Sequence, residues 1–213
     1  MEKLENIGDR IRQHLEEKNA ARDRALQHSR TLIRNCSKAI RATHREEFQH
    51  ARDYLQAARD LVAKLKAELE PYPDLYHAGY TRSALKEYAE ANIVLALITE
   101  DRLPDPDALG VDYIPYLGGL GEAAGELRRR ILDIVRHGRQ QEAEQLLEYM
   151  DEIYGLLVTI DFPDALTNNL RRTTDMVRGV TERTRGDLTT SFQQGELKRA
   201  LESVEKKLKE QGL

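Results

Sequence analysis

The chain has 213 residues, 33 basic against 37 acidic, for a net charge of −4, with 40% hydrophobic residues, no Trp and a single cysteine, Cys36. That length holds one large domain or two small ones. The slight acidity excludes a simple basic nucleic-acid coat, and the lone cysteine excludes an intramolecular disulfide. Scarce Pro and 33% charged residues among many Leu, Ala, Glu, Arg and Lys predict an all-helical protein.

Residues 2 to about 44 read as one helix of roughly 60 Å at 1.5 Å per residue. Leu4, Ile7, Ile11 and Leu15 share an arc that Leu26, Ile33 and Ile40 take up again. A helix this long in a small chain suggests packing against another subunit. The N-terminal segment has no apolar signal core, and the longest apolar run, Ile93 to Ile98, is far too short to cross a bilayer, so a cytoplasmic location is expected.

A second helix from about 46 to 69 carries Phe48, Leu55, Leu61, Val62 and Leu65, and PYPD (71–74) stops it. A third, Tyr80 to Leu97, puts Tyr80, Ala84, Ala91, Val94, Leu95, Leu97 and Ile98 on one arc, with Glu87 in its middle and Glu90 near its edge. DRLPDPDALG (101–110) reads as a turn-rich loop, and a fourth helix runs from about Tyr113 to His137 with Gly138 as its stop. The fifth spans roughly 139–159. A sixth begins at DFPDAL (161–166), with Asp161 as cap and Pro163 in the first turn, and Gly186 ends it near Arg185. Asp187 or Thr189 then caps a last helix to about Lys209. No repeat or linker divides the chain, so a single all-α domain, 1–213, is predicted.

Three constellations could carry chemistry. Glu87 and Glu90 stand side by side, three apart on one helix, and a carboxylate in an apolar face requires an answering cation. That cation is a divalent metal or an Arg in a buried salt bridge, although by spacing alone Glu-x-x-Glu is common in a charged helical protein and needs no function. YLGGLGEAAGEL (116–127) carries four glycines inside a helical pattern, each costing about 1 kcal/mol relative to Ala, so close approach by a neighbouring helix or a ligand should compensate. Its Glu122 and Glu126 share a face opposite Leu120, Leu127, Ile131 and Ile134, where exposed acids need no function. Finally, no acidic residue occurs from Arg24 to Arg45, and Arg30, Arg34, Lys38, Arg41 and Arg45 recur within about 80° of one helix face. Such a single-sign stripe suits a phosphate backbone, although an ordinary surface or pairing with acidic helices also produces one. Glu47-x-x-His50 is half of a di-metal signature with no second copy, which argues against a di-metal oxidoreductase and leaves His50 structural or on the surface. Cys36 falls on the apolar side of its helix and reads as packing.

KEYAEA (86–91) and YLGGLGEAAGELRR (116–129) together resemble the translin and Trax family, in its Trax-like, catalytic branch. HSRTLIRNCSKAIRATHR (28–45) is similar to that family's basic N-terminal helix, and residues 161–188 to its C-terminal region. The resemblance implies a seven-helix all-α bundle subunit with a long N-terminal helix. It further implies a closed, octamer-like homo-oligomeric shell that binds RNA or single-stranded DNA. For the Trax-like branch it implies a metal-dependent endoribonuclease. Carried over, Glu87 and Glu90 match the first acidic motif, Glu122 the acid of the second, commonly Asp in Trax-like proteins, and Glu126 the glutamate of the GEL ending. Glu87, Glu90, Glu122 and Glu126 are thus the expected catalytic and metal-binding set. Hard oxygen ligands of this kind suit Mg2+ or Mn2+. The alternatives are a non-catalytic RNA- or ssDNA-binding oligomer of translin type and a purely architectural helical partner.

Overall fold

A computed structural model describes residues 2–99 and 102–210. The element order is α1 (Glu2–His44), α2 (Phe48–Leu69), α3 (Pro73–Tyr76), α4 (Gly79–Thr99), α5 (Pro106–Leu109), α6 (Tyr113–Val135), α7 (Gln140–Val158), α8 (Asp164–Thr167) and α9 (Leu170–Glu210), with no strand among the described residues. The fold is all-α, as composition and periodicity predict. The chain forms two compact units, Met1–Ala123 and Ala124–Leu213, divided inside α6.

In the first unit, α1 packs against α2 and α4. The buried residues of α2, namely Ala51, Leu55, Ala58, Val62, Leu65 and Leu69, recur every three or four positions and form one stripe. The inner face of α1 is built mainly from small residues: Ala21, Ala25, Ser29, Cys36, Ala39, Ala42 and Thr43 are buried, together with Leu32 and Ile40, the last as the apolar arc predicts. Leu26 and Ile33, predicted on the apolar arc, are only half-buried. The face that packs is therefore the one where small side chains let α2 and α4 come close. At the other end of α1, Leu4, Ile7, Ile11 and Leu15 are 73%, 42%, 53% and 57% exposed, an apolar ridge left uncovered by the described residues.

Three of the helices, α3, α5 and α8, are single turns within turn-rich stretches. At α5, Asp105 accepts from the backbone N–H of Ala108 at 2.7 Å, Pro106 opens the turn, and Gly110 closes it at φ +67°. Asp101, the first residue of that predicted loop, lies outside the described residues. Gly138 stops the turn after α6 at φ +74°, as its position predicts.

In the second unit, α7 faces α9. Ala143, Leu146, Met150, Ile153 and Leu157 meet an α9 face that includes Val177, Thr181, Thr184 and Leu188. The predicted helix start at 161 and stop at 186 are both corrected. Pro163 precedes α8 as its N-cap, and α8 ends after one turn because Asn168 and Asn169 take left-handed φ of 53° and 63°. The long helix starts only at Leu170 and runs through Gly186. A lone glycine costs a helix about 1 kcal/mol. Here the flanking residues are tied down: Arg185 pairs with Asp151 at 2.7 Å, and Arg128 reaches Thr184 at 3.0 Å and Asp187 at 2.8 Å. No described helix is long and apolar enough to cross a membrane.

Candidate functional site

The closest approach of two backbones around the acidic motifs lies where α6 crosses α4, and glycine makes it. A Cβ on Gly119 would sit 2.7 Å from the Glu90 backbone nitrogen, 2.8 Å from Ala89 Cβ and 3.0 Å from the Lys86 carbonyl oxygen. No side chain fits there without separating the helices. A Cβ on Gly118 would meet Cγ and Cδ of Lys86 at 3.0 and 3.2 Å, so the missing side chain leaves a trough for the Lys86 stem. At these two positions the expected compensating neighbour is helix α4. Gly125 has no neighbour within 4 Å among the described residues, and close approach does not account for it.

The crossing sets Glu122 of α6 against Lys86 and Glu87 of α4. Lys86 Nζ donates to Glu122 Oε1 at 2.9 Å and stands 3.6 Å from Glu87 Oε1. Two carboxylates from different helices thus share one positive centre. Glu90, one turn beyond Lys86, is buried at 7% exposure, whereas the Glu87 side chain is 30% exposed. This reverses the arc prediction, which put Glu87 inside and Glu90 at the edge. The prediction assumed one-sided burial, but α4 is enclosed on most of its circumference, with Tyr88, Ala89, Glu90 and Ala91 all buried in succession. Burial pulls the Lys86 ammonium down, yet the hydrogen bond to Glu122 and the charges of Glu122, Glu87 and Glu90 outweigh it, and Lys86 is held above the ordinary lysine value. On α1, burial and then the charges of Glu87 and Glu90 push the Cys36 thiol up to about 12. Cys36 is therefore an inert packing residue at neutral pH, as its position predicts.

Glu126 lies four residues beyond Glu122 on α6, in the second unit, and approaches Arg129 at 3.7 Å. The donor chemistry of Glu87, Glu90 and Glu122 suits a hard divalent cation, and an ammonium already stands in for one between Glu87 and Glu122. No three described His, Cys, Asp or Glu side chains are arranged to hold an ion. Lys86 gives no signal in the sequence although it opens the KEYAEA motif, because a pairing across two helices leaves no trace in periodicity. Arg82 gives none either. It sits one turn before Lys86 on the same face of α4, half-buried, and its Nε is shielded from solvent without a hydrogen-bond partner among the described residues. His50 is a surface residue, 72% exposed and 3.8 Å from Glu47.

Arg30, Arg34, Lys38, Arg41 and Arg45 are all exposed along α1. Among the described residues, no carboxylate forms an ion pair with any of the five; the Lys38 ammonium lies 5.3 Å from the centre of the Tyr54 ring. The stripe is thus a face of unneutralised positive charge. It does not share a side with the acidic site. Arg34 and Lys38 each lie about 160° around α1 from Cys36, the residue that faces Glu87 and Glu90.

No protein-family model matches the chain. The chain is similar to the solved structure of AfC3PO in complex with duplex RNA, with 33% identity, a TM-score of 0.81, and coverage of 86% of this chain and 95% of that one. The chain belongs to the translin (C3PO) family. A crystal structure of AfC3PO matches equally well, at 33% identity and a TM-score of 0.80. Apo-NeC3PO, at 24% identity and a TM-score of 0.79 over 86% of this chain and 96% of that one, shares the translin-type fold. An uncharacterised protein of Methanocaldococcus jannaschii is 29% identical over 196 residues, 90% of this chain and 86% of that protein. The family match accords with the resemblance of the acidic motifs and of the basic helix to translin-type proteins.

Proposed function

We propose that this translin-family chain is a Trax-like, metal-dependent endoribonuclease that binds RNA as a homo-oligomer, in a closed, octamer-like shell. The observation that carries the proposal is the convergence of Glu87 and Glu122, from two helices, on the Lys86 ammonium, with Glu90 buried on the same helix as Glu87. A 33% identical relative is described in complex with duplex RNA. Glu87, Glu90 and Glu122 hold the ion, and Glu126 supports them from the next turn of α6. When bound, Mg2+ or Mn2+ supplies water activation and neutralises charge on the phosphoryl oxygens. The chain itself fixes the carboxylates through the glycine crossing and brings positive charge to the phosphate from Arg82 and Lys86. No histidine is required. The test is RNA cleavage by the purified protein in Mg2+ or Mn2+ and in EDTA. Cleavage that EDTA abolishes supports the proposal, and no cleavage in either metal rejects it.

The basic stripe holds the RNA backbone without sequence preference. Replacing Arg34 and Lys38 together with Ala should reduce the slope of log affinity against log salt by about 2, roughly one unit for each phosphate left without its cation. An unchanged slope in filter binding at several salt concentrations would place the RNA elsewhere. Leu4, Ile7, Ile11 and Leu15 supply the apolar ridge for self-association. Ile7→Asp with Ile11→Asp should shift the solution mass from the oligomer to smaller species in light scattering, while helix content stays the same.

A second reading, a non-catalytic RNA- or ssDNA-binding oligomer of translin type, is favoured by one observation. Lys86 already answers Glu122 and Glu87 without any metal. That reading predicts RNA retention at low salt with no metal-dependent cleavage.

A further inference from the structure

We propose that the apolar ridge at the start of α1 docks into the groove between α7 and α9 of a second copy of this chain. The proposal names what the ridge packs against, and it rests on the reading above that the ridge serves self-association.

The groove lies wholly within the second unit. The end of α7, the connection that follows it and the start of α9 enclose about 640 Å3. Its apolar lining is Leu157, Val158, Ile160 and Phe162, and Val158 and Phe162 keep 53% and 62% of their surface exposed. Large apolar side chains left open in a concave surface with a polar rim mark a docking site. The ridge has the complementary form. Leu4, Ile7, Ile11 and Leu15 stand at i, i+3, i+7 and i+11, the anchor pattern of an amphipathic helix laid into an apolar groove.

Charge selects this pairing. Asp161 and Asp164 line the groove from the connection after α7, and Arg171, Asp175 and Arg178 line it from α9. None of these five has an ion-pair partner among the described residues. On α1, Lys3 and Arg10 flank the ridge on one side and Glu5 flanks it on the other, all three exposed and likewise unpaired among the described residues. Seated with Lys3 and Arg10 toward Asp161 and Asp164, the helix turns Glu5 toward the arginines of α9. Two ridges laid antiparallel about Ile7 and Ile11 would instead bring two copies of Arg10 together, a repulsion that disfavours ridge against ridge. Each chain offers one ridge and one groove. The contact is therefore head-to-tail and repeats until a ring closes, as a closed shell requires.

Disulfide trapping in the full-length protein tests this. A chain carrying Ile11→Cys and Phe162→Cys should form a ladder of covalent multimers on mild oxidation, with position 11 bonded to position 162 by mass spectrometry, while either single variant stays unbonded. Cys36 is buried and does not compete. Charge reversal gives a second readout. Lys3→Glu with Arg10→Glu should weaken the oligomer about tenfold or more in sedimentation at low salt, and adding Asp161→Lys with Asp164→Lys should restore it to within about threefold of wild type. The trapping result stands even where a reversed chain fails to fold. Absence of an intermolecular 11–162 bond overturns the proposal, as does a folded, fourfold-reversed chain that assembles no better than the first reversal. Bonded dimers of Ile11→Cys alone mean that ridge meets ridge; they remove the groove and leave self-association through the ridge standing. An oligomer that survives Ile7→Asp with Ile11→Asp removes both.

Discussion

Replacing Glu90 with alanine is expected to lower RNA cleavage in Mg2+ or Mn2+ by about a hundredfold or more, the scale of losing one electrostatic element of a phosphoryl-transfer site. Of Glu87, Glu90 and Glu122, Glu90 is the most deeply buried, and its charge acts on both Lys86 and Cys36. RNA affinity should change little, because the unneutralised cations of the stripe lie on the far side of α1. Glu90→Gln keeps the shape and removes the charge, so it should lose cleavage to a similar degree. Wild-type cleavage by both variants, measured with a labelled oligonucleotide, would remove Glu90 from the site.

Gly119→Ala should destabilise the protein by about 2–3 kcal/mol, although the same change in an open helix stabilises by about 1 kcal/mol. The added Cβ would lie 2.7–2.8 Å from the Glu90 backbone nitrogen and Ala89 Cβ, so α4 and α6 must part. For a chain of this length the thermal midpoint should fall by roughly 5–10 °C. Glu122 should then draw away from Glu87, and cleavage should fall with stability. Gly125→Ala is the control of opposite sign. Its Cβ meets nothing within 4 Å among the described residues, so it should raise the midpoint. A Gly119→Ala protein as stable as wild type by circular dichroism would mean that the helices do not touch there.

The long helices were legible because their signals are local. The apolar recurrence and the absence of breakers mark 2–44 as one helix, and α1 spans Glu2–His44. Gly138 acts as a stop because it takes a left-handed φ. Gly186 looks equivalent in the sequence, but it does not stop α9, where the neighbouring Arg185 and Asp187 are held by Asp151 and Arg128. The actual break, Asn168–Asn169, uses residues that tolerate left-handed φ, a signal present in the sequence but weaker than those of Pro163 and Gly186. At the site, the acidic residues stood out through motif spacing and resemblance. Their order of burial did not, because α4 is enclosed on more sides than a single arc allows. Lys86 and Arg82 were silent for a related reason. Each is an ordinary charge on a helix until α6 crosses at Gly119 and gives it a neighbourhood.

The claim on which the rest depends is that Glu87, Glu90 and Glu122 share one divalent ion. Anomalous scattering from crystals of the wild-type protein soaked in Mn2+ tests it most directly. The predicted result is one strong Mn2+ peak among these three carboxylates, with the Lys86 ammonium moved away from Glu122. Lys86 still bridging Glu122 and Glu87, with no peak between them at saturating Mn2+, would contradict it.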